Sequence, residues 1–157
     1  MFTPPAFAQS AVDPIADLIQ NALQDSAPAA AQIAPDWVLK ASLYHAGAPG
    51  VGGRDSLGCP TVAMRTAATD RTLVPRRTIL FIKETVGMPM PDGSVHDGYW
   101  YASDVGGAIK GNRIDLFTGS GRGSMAPMMK LNMRAVTVSR VGTFEGCPRA
   151  GARVAAR

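Results

Sequence analysis

Short β-type runs, punctuated by Gly and Pro and never separated by a helix-length segment, constrain this fold most strongly. Residues 37–44 (WVLKASLY), 61–69 (TVAMRTAAT), 77–83 (RTILFIK), 99–103, 113–117 and 135–141 (AVTVSRV) each read as a strand. Between them lie a Gly-rich loop (45–59), a turn with PDG (89–93) and a glycine turn (106–111). About six strands without βαβ alternation predict an all-β barrel. The 17 Gly and 12 Pro, with 18% charged residues, fit that class better than a helical bundle or a disordered chain.

The barrel is expected over residues 36–149. Ahead of it, residues 10–35 read as one short helix and a linker. Asp13 can cap that helix, Pro14 suits its first turn, and Ile15, Leu18, Ile19, Ala22 and Leu23 share a face. Residues 1–9 have the form of a signal-peptide remnant, because Ala6, Phe7 and Ala8 before Gln9 make a small-x-small site. Residues 150–157 form a basic, Ala-rich tail expected to fray. No apolar run approaches the roughly 20 residues of a membrane-spanning helix. The net charge of +4 is diffuse, with Arg76 and Arg77 the sole adjacent basic pair, and aromatics are few. Without a basic stripe or a base-stacking platform, nucleic acid is not an expected partner, whereas an anionic polymer is compatible.

Cys59 and Cys147 belong to no Cys-x-x-Cys pair, so neither zinc nor redox chemistry is indicated. Export to an oxidising compartment would join them in one disulfide; the alternative is two separate buried thiols.

Asp104 and Asp115 are the candidate chemical pair. They stand eleven residues apart, across a strand end, a glycine turn and the next strand. Two carboxylates in unlike environments suit acid/base work on a glycosidic bond, because one can remain protonated near neutral pH. Gly106 and Gly107 let backbone approach a ligand closely, and Lys110 in the same turn could hold a carboxylate or a substrate oxygen. GGAIKG is no phosphate loop, since Gly111 stands where Ser or Thr should follow the lysine.

The stretch ASDVGGAIKGNRIDLF resembles the signature of the 3D domain, named for three aspartates. The matching positions are Asp104, Gly106, Gly107, Ile109, Lys110, Gly111, Ile114, Asp115 and Phe117. Upstream, residues 65–82 (RTAATDRTLVPRRTILFI) resemble the family's first half and make Asp70 the first of the three. The family includes MltA-type lytic transglycosylases and smaller bacterial cell-wall proteins.

The resemblance implies a double-psi β-barrel, a periplasmic or cell-envelope location and peptidoglycan as ligand. The two histidines and scattered acids show no metal-ligand spacing, and no cofactor is expected. It assigns Asp115 as a single general acid/base, Asp104 as a supporting acid and Asp70 as the third catalytic-site aspartate. Lys110, Gly106 and Gly107 are then expected on the substrate. The product would be a 1,6-anhydro sugar at the cut between N-acetylmuramic acid and N-acetylglucosamine. A non-catalytic wall-binding module is the alternative reading. The chain is far shorter than a full MltA-type enzyme, and residues 83–98 form a long insertion that stands as a candidate replacement for part of the missing groove wall.

Other positions carry less. Tyr99, Trp100 and Tyr101 alternate on a strand, one face for the core and the other, with Tyr101, for stacking on a sugar ring. His45 is expected to be structural or surface-exposed, and His96 beside Asp97 has no third partner for acid/base work. Gly119, Gly121 and Gly123 read as a flexible rim, and the methionines from Met125 to Met133 as gap-filling core.

Overall fold

The computed structural model describes residues 34–150. The helix and linker expected over residues 10–35 lie, up to residue 33, outside the described residues, as do the signal remnant and the tail beyond residue 150.

Six strands form: β1 (Trp37–Ala46), β2 (Thr66–Thr69), β3 (Thr78–Ile82), β4 (Tyr99–Asp104), β5 (Arg113–Ser120) and β6 (Ala135–Thr143). They close into a barrel in the order β1-β5-β2-β4-β3-β6. β1 runs parallel to β5 and β2 parallel to β4, while the other neighbours are antiparallel. Period-2 alternation drives the closure. Leu39 and Ala41 on β1, Ile114 and Leu116 on β5, and Val136 and Val138 on β6 point inward and are buried. Ala67, Leu80, Ile82, Trp100 and Ala102 complete the interior. Removing each large aliphatic from water contributes about 1.5–3 kcal/mol.

Four expectations need adjustment. Of residues 61–69 only Thr66–Thr69 is strand, because the chain turns just before it, with Met64 at φ 54°. Gly119 is no rim residue but continues β5, and a run of 3₁₀ turns follows at Arg122–Leu131. That run buries Met128 and Leu131, whereas Met129 and Met133 are about half exposed, so the methionines only partly fill the core.

The fourth concerns residues 83–98. This segment opens with a 3₁₀ turn at Lys83–Thr85 and is cross-bridged at Pro89 and Val95. Glu84 accepts bonds from the Thr137 N–H and hydroxyl on β6. His96 is buried, stacked on Trp100 with ring centroids 4.9 Å apart. The segment therefore caps the end of the barrel where β4 begins, opposite the end that carries Asp104. It is not a wall of the candidate groove.

Candidate active site

A short β2 between β4 and β5 brings the two acids together. Ala68 pairs with Asp104 on one side and with Asp115 on the other, and Asp115 pairs in turn with Ser42 of β1. Paired residues share a face, so both carboxylates stand over the methyl group of Ala68, their Cα atoms two strand spacings apart, about 9–10 Å. A register shift between Ala67 and Ala68 makes this possible, since it places Asp104 rather than Ser103 opposite Ala68. Irregularities of this kind re-aim side chains next to sites.

An open cavity of about 290 Å³ lies over this floor. Asp104, Asp115, Ala68 and Tyr44 line it, together with Gly106 and Gly107 of the glycine turn and Gly50, Val51, Gly52 and Arg54 of the Gly-rich loop. Gly106 is forced by packing, because a Cβ there would stand 2.7 Å from Ile109 Cγ1, and Ile109 is buried beneath the turn.

The two acids have unlike surroundings. Asp104 is fully engaged: Tyr44 donates its hydroxyl to Oδ2 (2.9 Å), and the N–H groups of Ser56 (3.0 Å) and Val105 (2.8 Å) donate to Oδ1. Tyr44 also rests on Phe117 at 5.2 Å between ring centroids. Burial, reinforced by Asp104, pushes the Tyr44 phenol far above its ordinary range, so it remains a donor. Asp115 is half-buried, and its Oδ1 has no hydrogen-bond partner among the described residues. Burial pushes its carboxyl above the ordinary carboxylate value. The Ser42 hydroxyl and the Arg113 charge pull part of the way back, and the Asp104 charge adds to the rise.

The third aspartate stands elsewhere. Asp70 does not line the cavity. Its Oδ1 accepts from the Thr72 N–H and hydroxyl, and its Oδ2 accepts from the Gly111 N–H at 2.8 Å. These donors, the Gly111 amide first, hold its pKa down at about 2. Gly111 sits at φ 59°, where a side chain would be strained, and Asp70 thus pins the end of the glycine turn. Lys110 is exposed on that turn and also lies off the cavity lining; its charge acts on Asp70.

Tyr101 is buried edge-on against Phe144 at 5.1 Å rather than facing the cavity, and Tyr99 packs edge-on against Phe81. Both faces of this aromatic strand are thus covered by protein. The His96 ring lies between the Gly98 N–H, which donates to Nδ1 (2.8 Å), and the Met64 carbonyl, which faces Nε2 (2.7 Å). These partners fix a neutral tautomer, and burial lowers its pKa. Asp97 instead pairs with the buried Arg65. His45 Nδ1 faces the Ala46 carbonyl at 3.0 Å, away from the cavity lining. Among the described residues no cluster of His, Cys, Asp and Glu is arranged to hold a metal ion.

Cys59 and Cys147 form a disulfide, with Cα atoms 5.4 Å apart. It anchors the turn whose Ser56 N–H reaches Asp104. Tyr44, Ser42, Ser56 and Arg54 were not anticipated as site residues. Only the fold brings them to residues 104–115.

The fold and site define an all-β closed barrel with a carboxylate-bearing cleft at one end. Residues 65–130 match the 3D domain. Three solved structures illustrate the likeness, all of lytic transglycosylases. MltA from Escherichia coli with bound chitohexaose is 24% identical over 63% of this chain and 29% of that one, with TM-score 0.41. LtgG of Burkholderia pseudomallei is 28% identical over 58% and 28%, with TM-score 0.41. The membrane-bound lytic murein transglycosylase of Agrobacterium tumefaciens is 29% identical over 54% and 24%, with TM-score 0.40. The chain therefore spans less than a third of the length of these proteins. No curated protein matches it.

Proposed function

We propose that this protein cleaves peptidoglycan in the cell envelope as a lytic transglycosylase, with Asp115 as its single general acid/base. One observation carries the reading: Asp115 lines an open cleft, its pKa raised by burial, beside an Asp104 whose oxygens are already engaged. A carboxyl that favours its neutral form can protonate the glycosidic oxygen. The resulting carboxylate then takes the proton from the C6 hydroxyl of the same muramic acid as that oxygen attacks C1. The product is the 1,6-anhydro sugar, and no water enters. Asp104, held by Tyr44 and Ser56, supplies a fixed negative field for the positive charge developing at C1.

Gly106 and Gly107 form the rim on which the glycan lies, and Asp70 positions that rim through Gly111. We read the two parallel strand pairs as the double-psi form of the barrel. The disulfide supports export to an oxidising compartment.

The test is digestion of purified peptidoglycan by wild type and Asp115→Asn. Wild type should release 1,6-anhydro-muropeptides and the variant should not; identical products from both would end the proposal. The alternative reading is a non-catalytic wall-binding module. Retention on insoluble peptidoglycan without any soluble fragment would favour that reading.

A further inference from the structure

We infer that Arg54 selects glycans that carry a carboxylate, by binding that anion at the rim of the cleft. The inference rests on the glycan-cleaving reading above and adds a specificity determinant to it. Arg54 lies outside residues 65–130, so the domain match says nothing of it.

It is the one cation among the described residues that line the cavity. Two carboxylates line the same cavity, yet Arg54 pairs with neither and forms no ion pair among the described residues. Asp104 draws its donors from Tyr44, Ser56 and Val105 instead. The Arg54 side chain is tethered by a single bond, Nη1 to the Gly58 carbonyl at 2.6 Å. The rest of the guanidinium fork remains for a ligand, and a planar fork suits a carboxylate in two-point contact.

The surrounding turn is built to hold this cation still. Arg54 bridges to Pro60, the Asp55 N–H donates to the Cys59 carbonyl (2.8 Å), and Asp55 Oδ1 accepts from Leu57 and Cys59. The disulfide fixes one end of the turn, and the Ser56 N–H ties its middle to Asp104. Arg54 is thus placed at a set distance from the acids. The anion it would meet is a carboxylate carried beside the scissile bond, either the lactyl group of muramic acid or the peptide stem attached to it.

Binding of wild type, Arg54→Gln and Arg54→Lys is measured on three probes: stem-bearing glycan strands, amidase-stripped strands with bare lactyl carboxylates, and uncharged chitin oligosaccharides. Wild type should bind at least one carboxylated probe about three- to tenfold tighter than chitin oligosaccharide, with the margin shrinking as salt rises. Arg54→Gln should erase the margin, and Arg54→Lys should keep part of it. Preference for stripped strands assigns the lactyl group, and preference for stem-bearing strands alone assigns the stem. Equal binding of all probes by wild type, or an unchanged margin in Arg54→Gln, overturns the inference. In that case anhydro-product release that depends on Asp115 would still stand. If wild type neither binds nor cuts any glycan, the glycan-cleaving reading fails and this inference fails with it.

Discussion

Removing the Cys59–Cys147 bond should affect global stability and the cleft separately. The bond joins residues 88 apart in sequence. In the chain-entropy account a loop of that length contributes about 4–5 kcal/mol by restricting the unfolded chain. That is a large share of the roughly 5–15 kcal/mol that holds a domain folded. Residues 34–150, at about 2.1 cal/mol/K each, unfold with an entropy near 0.25 kcal/mol/K, so Tm should fall by about 15–20 °C. Calorimetric melts of Cys59→Ser/Cys147→Ser against oxidised wild type measure this, with reduced wild type as the matched control. A fall below about 4 °C, close to 1 kcal/mol, would refute the loop argument. The local effect is read by hydrogen exchange. The Ser56 amide, which donates to Asp104 from the anchored turn, should lose more protection than the amides of β3 and β4. A uniform loss would refute the idea that the bond specifically holds the cleft.

Other outcomes follow from the carboxylates. Asp115 has a raised pKa in the folded state, so its neutral form is favoured by folding, and that contribution is lost as pH rises through the folded pKa. Asp115→Asn should therefore melt above wild type at pH 8, with the gap closing towards the ordinary value of 3.8; a constant offset would contradict the assignment. Asp70 is the reverse case: its contribution is present above 3.8 and disappears as pH falls through about 2. Asp70→Asn should melt below wild type at neutral pH and match it near pH 2, and a pH-independent deficit would argue against the Gly111 anchor. Tyr44→Phe keeps the contact with Phe117 but deletes the hydroxyl bond to Asp104. It should cost about 1–2 kcal/mol in chemical denaturation and lower the cleavage rate; unchanged values for both would show that Asp104 needs no such support.

The strands were legible because each has one face that must be apolar. Ile114 and Leu116 alternate with Asp115, and Val136 and Val138 with Thr137, so a period of 2 stands out in the sequence. Asp104 and Asp115 were legible as a pair because one glycine turn joins their strands. Their partners were not, since Tyr44 and Ser56 reach Asp104 from 60 and 48 residues away, and only barrel closure brings them there. Tyr101 misled because alternation assigns a residue to a face without saying what covers that face. Phe144, just beyond β6, closes over it. The location of residues 83–98 follows from chain order. They precede β4 while Asp104 ends it, so they belong to the far end of that strand, about 17 Å away at strand rise.

The barrel order also sets the sequence of events in folding. Among the described residues β1 pairs only with β5 and β6: Lys40 meets Arg113, and Trp37 meets Val138. As the chain emerges N-terminus first, β1 has neither of these partners until β5 is present. Long-range pairing of this kind slows folding, because the loop must close before any contact rewards it. The antiparallel pair of β3 and β4 can form early, since they are neighbours in sequence. The carboxylate cleft, which needs β1, β2, β4 and β5 together, is among the last features to assemble. A partly synthesised chain that stops short of β5 would therefore carry Asp104 but no cleft to hold it.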